Sequence, residues 1–251
     1  MRTLWILWKR EVAAAFHTPM AWAVLVFLLL VTGFDFYAGV SVLNHGPTEV
    51  TVVQSFFNTV FFWFPFLLIF PLLTMRVFSE EYRTGTVEPL MTAPVRDTQV
   101  VLAKFLGVLF QYCVLWAPTG LYFLVFWWQT RLSAAGAVGA YAGSYLLLLL
   151  MGCFFLSVGC LFSSMTRHQV AAAVMTFAVV TLVFLTGLLT FLSGQVGPLV
   201  QSLAVTVSPI DQMTQFSRGI IDTRPVAWYV VMTGLCLFLT VKSFQSRRWR
   251  S

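Results

Sequence analysis

Charge is what this chain has least of. Asp, Glu, Lys and Arg make up only 10% of its 251 residues, where soluble domains carry about 25%. Only nine residues are acidic. With 59% hydrophobic residues and a mean hydropathy of +0.85, no water-soluble packing hides so much apolar surface. A soluble enzyme is excluded, and an integral membrane protein remains. The excess of six positive charges falls where membrane topology calls for it, so nucleic acid is not an expected partner.

Reactive constellations are also missing. Cys113, Cys153, Cys160 and Cys236 each sit inside an apolar stretch, with no CxxC spacing and no nearby His. They read as buried inert thiols rather than a disulfide or metal site. His17, His45 and His168 lie in different segments and offer no ligand spacing. No Ser/His/Asp or Cys/His arrangement is visible, and no Gly-x-x-x-x-Gly-Lys-Ser/Thr loop cradles a phosphate. The chain is therefore expected to be no enzyme and to bind no cofactor of its own. Its long apolar runs do not alternate polar and apolar residues, as the strands of a membrane barrel do. Helices are the expectation, in an all-α integral membrane protein.

Six uncharged runs cover residues 18–34, 50–75, 105–130, 132–166, 169–210 and 225–241. A helix needs about 20 residues to cross the hydrocarbon, so six crossings are predicted. Gly136, Gly139 and Gly143 mark where the fourth helix is expected to begin. The fifth run is too long for one crossing and too short for two. The stretch from Gly194 to Pro198 breaks it. The apolar piece at 199–207 is too short to span and is expected to lie at the interface or to dip in and return.

Six crossings place both ends on one side. With the N-terminus in the cytoplasm, inner segments hold twelve basic residues and outer segments only Arg131, Arg218 and Arg224. The positive-inside rule therefore puts both termini in the cytoplasm. Trp127 and Trp128 then mark an outer boundary and Trp22 an inner one. The basic start followed by an apolar run is read as a retained anchor rather than a signal peptide. Residues 3–17 form an amphipathic pattern, with Leu4, Leu7, Trp8, Val12 and Phe16 on one face and Arg2, Lys9, Arg10 and His17 on the other. An interfacial helix before Pro19 is predicted. Glu11 is its misfit, falling on the apolar side.

The remaining charge gathers in one short internal loop. Glu80, Glu81, Glu88 and Asp97 are four of the nine acidic residues. Ser79 is expected to cap a short helix, with Glu80 and Glu81 near its positive end. Thr84, Gly85 and Thr86 form a turn. Thr86 then caps a second short piece through Leu90, with Pro89 tolerated in its first turn. Such a knob between two membrane helices suits docking to a soluble partner. Glu80 and Glu81 have two candidate sets of counter-charges, basic residues of that partner or Arg10.

The run from Phe78 to Val95, FSEEYRTGTVEPLMTAPV, resembles the coupling segment of type-2 ATP-binding-cassette exporter permeases. That family's pattern of Glu-Glu, a basic residue, Ser/Thr-Gly-Thr, Glu and Thr/Ser-x-Pro matches from Glu80 to Pro94. A second likeness lies at Ser208-Pro209 and at Arg218-Gly219 through Asp222, before the last crossing. With the amphipathic start and six crossings, the resemblance covers the whole chain as a single permease domain spanning residues 1–251. Within it, 79–95 would be the coupling segment and 194–224 an extracytoplasmic segment. Gliding-associated permeases, and next those of nitrous-oxide-reductase maturation, are the most similar subfamilies. Pro89 stands where the family usually has Leu, which shortens or bends the coupling helix.

The resemblance implies a permease subunit of an exporter in a bacterial inner membrane. A separate ABC ATPase in two copies would bind the ATP, and a second permease chain, identical or related, would complete the transporter. An accessory extracytoplasmic protein is also possible in this family. The implied ATPase contacts are Glu80, Glu81, Arg83, Gly85, Thr86, Glu88 and Leu90. Asp35, Asn58 and Gln111 are polar positions near or within crossings. Each is open to two readings, as lining of a substrate path or as a group meeting headgroup water or a neighbouring helix. The Phe residues between 56 and 70 suit an amphipathic cargo or lipid contact equally. The rival classes are an ion-coupled secondary transporter, which calls for intramembrane charge, and a membrane anchor subunit without transport.

Overall fold

The computed structural model describes residues 2–44, 51–86, 96–130, 138–191 and 206–248. All regular structure among them is helical. In chain order the helices are α1 (Arg2–His17), α2 (Pro19–Asn44), α3 (Val52–Phe57), α4 (Val60–Thr74), α5 (Ser79–Thr84), α6 (Asp97–Thr130), α7 (Val138–Met165), α8 (Gln169–Phe191), α9 (Pro209–Phe216) and α10 (Thr223–Arg248). Six segments are long and apolar enough to cross a membrane, built on α2, α4 with α5, α6, α7, α8 and α10.

The crossings sit where the apolar runs predict, but three boundaries move. The first run ends at Asp35 in sequence, yet α2 continues to Asn44, so Asp35 lies inside a helix and not at its end. The run at 50–75 is broken in two. Thr51 and Gln54 form a reciprocal capping box that starts α3, Asn58 ends it, and Thr59 in extended geometry starts α4. The third crossing begins at Asp97, before the charge of Lys104. At 1.5 Å per residue α6 reaches about 51 Å, well past the ~30 Å hydrocarbon.

Helix α7 is the centre of the bundle. It packs against α4, α6, α8 and α9, and α10 runs along it most extensively. A ladder of rings on α4 fills the space between. Phe66 stacks on Trp116 of α6 at 5.1 Å, and Phe70 meets Phe155 of α7 at 4.9 Å. Aromatic pairs of this kind add about 0.5–1.5 kcal/mol beyond their burial. Of the seven Phe between 56 and 70, only Phe61 and Phe64 are exposed. The others are neither cargo lining nor lipid contact but packed core.

One end of the bundle carries α1 and α5. The opposite end carries α3 and α9. At this second end Ser208 caps α9 by accepting from Asp211 N, with Pro209 in the first turn. Gly219 then takes a left-handed φ of 81° that closes the helix, and Asp222 accepts from Arg224 N at 3.0 Å at the start of α10. The Ser-Pro and Arg-Gly-x-x-Asp pattern is thus a cap, a stop and a second cap. Gly143 faces the Phe216 carbonyl of α9 inside the same chain, while Gly139 has open space around it.

Candidate functional site

At the first end, α1 lies across α6. Trp8 Nε1 donates to Leu106 O at 3.3 Å, and the rings of Trp8 and Phe16 meet Phe110 edge-on. Gly107 permits the crossing, since a Cβ there would come within 3.0 Å of Glu11 Cβ. The amphipathic face of α1 therefore rests in part on protein, while Trp5 and Ile6 stay exposed.

The Glu11 misfit now has its reason. Lys104 Nζ on α6, whose side chain is 3% exposed, lies 3.3 Å from both oxygens of Glu11 and 2.8 Å from Glu81 Oε1 on α5. Arg10 closes the ring, 3.0 Å from Glu11 and 3.7 Å from Glu81. Two cations and two carboxylates alternate around a neutral quartet that ties α1, α5 and α6 together. Most of its worth lies at the buried lysine, because exposed pairs such as Arg10–Glu11 contribute about 0–1 kcal/mol. Of the two counter-charges foreseen for Glu81, the structure contains Arg10, and Lys104 joins it. Lys104 was legible only as a topology charge. Its signal was a lone cation in the apolar stretch from Val100 to Leu106, matching a lone carboxylate on the apolar face of α1.

Helix α5 is held by another device. Its cap position is Phe78, without a side-chain cap, so Ser79 does not cap it as the sequence suggested. Ser163 of α7 does that work from outside, accepting from Phe78 N at 3.0 Å and Ser79 N at 3.2 Å. The Ser79 hydroxyl instead turns back to donate to Met75 O. The side-chain oxygen of a neighbouring helix supplies what a local residue normally would. Ser163→Ala leaves two buried N–H groups short of an acceptor and is expected to cost about 1–3 kcal/mol. Thermal unfolding in detergent, followed by a dye that reacts with the newly exposed thiols, reads this as a lowered midpoint.

Glu80 and Glu81 lie in the first turn of α5, as expected. Arg83, Gly85 and Thr86 are exposed beyond it. Gly85 takes φ 73°, a left-handed stop, and the Thr84 and Thr86 hydroxyls meet at 3.0 Å. Five of the seven residues of the predicted contact surface are thus on one knob. Glu88, Leu90 and the second short helix lie outside the described residues, as does most of the expected break at 194–207.

The three polar crossing residues do not converge. Asp35 is 1% exposed, and neither carboxylate oxygen has a hydrogen-bond partner among the described residues. The neighbouring Thr59 hydroxyl donates to Ser55 O. Asn58, beside it in sequence, accepts from Thr214 at 3.0 Å and stitches the α3–α4 break to α9. Gln111 is elsewhere, on α6, where it lines a cavity beside the quartet.

A bundle that is all-helical among the described residues, with six segments long and apolar enough to span a membrane and one charged knob tied into the helices it joins, defines a multi-pass membrane protein. The family model described as ABC-2 family transporter protein matches residues 34–242, and the chain belongs to that family. No match was found among curated proteins. Membership makes the chain the membrane-embedded permease type of subunit of an ABC transporter. It also implies an ABC ATPase partner and dimerisation.

Proposed function

We propose that this chain is an export permease of an inner membrane, with both termini cytoplasmic, that relays ATP-driven movement from a pair of separate ATPase subunits. The observation that carries the reading is the quartet. It fastens the exposed knob at Arg83, Gly85 and Thr86 to α6 through Lys104 and to the interfacial helix through Arg10 and Glu11. A push on the knob then reaches a membrane helix as a rigid displacement between two states, biased by nucleotide. ATP itself stays with the partner. A second permease chain, identical or related, completes the transporter. An accessory extracytoplasmic protein is compatible with the segment at 194–224. The coupling pattern from Glu80 to Pro94 supports a gliding-associated or nitrous-oxide-reductase-maturation type, and the match over 34–242 supports one permease domain.

Arg83 tests the docking surface without touching the quartet. Arg83→Glu is expected to weaken capture of the cognate ATPase about tenfold, equivalent to ~1.4 kcal/mol, with an unchanged unfolding midpoint. Unaltered capture would remove α5 from the interface.

The buried, unpartnered Asp35 favours one second reading, ion-coupled transport. Cargo movement driven by a proton or sodium gradient without ATP would select it, and strict dependence on ATP would exclude it.

A further inference from the structure

A cavity of about 480 Å³ lies between α1, α2, α4, α5 and α6, beside the quartet. Its volume falls in the range of small-molecule sites, about 300–1,000 Å³. The lining is divided. Val24 of α2, Leu72 and Leu73 of α4 and Val108 of α6 form an apolar half, and all belong to segments long and apolar enough to span a membrane. The polar rim lies on the side of α1 and α5.

Two features of the polar part ask for a ligand. The first is Gln111, 8% exposed, whose amide lines the cavity with no hydrogen-bond partner among the described residues. The amide opens into the cavity, and a neutral acceptor such as an ester carbonyl there would give its N–H groups a partner. The second is the charge left over at the rim. The quartet's four charges pair with one another, and of their buried atoms only Glu81 Oε2 is left without a hydrogen-bond partner among the described residues. Arg76 and Glu80 also line the cavity and have no ion-pair partner within 4.0 Å among the described residues. Among the described residues, a ligand's polar head therefore meets one cation without an ion pair, the exposed Arg76, and one such anion, Glu80.

We propose that this cavity holds a zwitterionic glycerophospholipid drawn from the leaflet in which α1 lies. Its phosphate faces Arg76 and its ammonium faces Glu80. An ester carbonyl accepts from the Gln111 amide, and the start of one acyl chain runs along Val24, Leu72 and Val108. A soluble zwitterion would satisfy the rim but leave the apolar half empty, whereas the lipid matches both halves. The assignment uses the placement of α1 at the interface and is independent of any ATPase.

The test uses the full chain alone, in nanodiscs of phosphatidylcholine doped with a phosphatidylethanolamine that carries a diazirine near its ester. After illumination, adducts are mapped by peptide mass spectrometry. They are expected to concentrate on residues 20–24 and 72–77. Val24→Trp, which fills the apolar half, should lower them about tenfold, a loss of ~1.4 kcal/mol in occupancy, and leave adducts on exposed Leu235 and Phe238 unchanged. Gln111→Leu keeps the volume, so it serves if Val24→Trp fails to fold, and it should lower the same adducts several-fold. Adducts spread evenly over exposed residues and indifferent to both variants would overturn the site. Equal labelling by a phosphatidylglycerol probe would overturn the zwitterionic head. Displacement by excess glycerophosphoethanolamine would overturn the membrane source in favour of a soluble ligand. None of these outcomes bears on ATPase coupling.

Discussion

Lys104→Met is expected to destabilise the protein by about 3–5 kcal/mol, because it leaves Glu11 and Glu81 facing each other with their buried counter-charge gone. The methyl end of Met fills much of the space, so the loss is electrostatic rather than a cavity. Arg10 offers little compensation, since its side chain is 56% exposed and screened. The triple change Lys104→Met, Glu11→Gln, Glu81→Gln removes all three charges together. It should regain most of the unfolding midpoint, as neutral replacement of a whole buried ion group does. In a complex reconstituted with the ATPase, however, α5 would no longer be tied to α6, and cargo-stimulated ATP hydrolysis should stay low in both variants. Stability and relay are thereby separated. If the triple variant couples hydrolysis to transport as well as the wild type, the quartet is a structural tie only and the proposed route through α6 is wrong.

The same residues show how far the sequence could be read. Crossings were legible because a run of about 20 apolar residues has few other fates. Their ends were not, and the cause is common to both errors. Asp35 and Lys104 bound the uncharged runs at 18–34 and 105–130, yet each is buried by neighbouring helices, at 1% and 3% exposure. Single-residue charge reports the surroundings of an isolated helix, whereas these helices are surrounded by protein. Glu11 was visible as an anomaly on the α1 wheel, but its partner lies 93 positions away, and no local pattern names it. The knob fared better. Its acidic first turn and Gly85 stop are local devices and were legible. The cap from Ser163 comes from another helix and was not. Glycine packing is likewise decided across helices. A Cβ at Gly143 would come within 3.3 Å of the Phe216 carbonyl, but the closest approaches are at Gly152 and Gly159.

Those two glycines support a prediction whose sign depends on position alone. A Cβ added at Gly159 would press on Thr74 of α4, within 2.7 Å of its Cγ2. Thr74 is fully buried, and its hydroxyl is held by Phe70 O at 2.7 Å, so it has no free direction to yield. Gly152 meets the Tyr112 ring of α6 in the same way, and that ring is anchored through Leu148 O at 3.0 Å. Gly159→Ala should therefore destabilise by about 1–3 kcal/mol or more through overpacking, despite the better helix propensity of Ala. Gly159→Leu should prevent assembly of α4 against α7. Gly234 on α10 has nothing within 4 Å of its would-be Cβ. There Gly234→Ala should be neutral or stabilising by up to about 1 kcal/mol. The comparison needs only the unfolding midpoints of the single variants in one detergent. Equal effects at 159 and 234 would mean that α4 and α7 do not cross as closely as the structure shows. The arrangement of α4, which leads directly into α5, would then have to be redrawn.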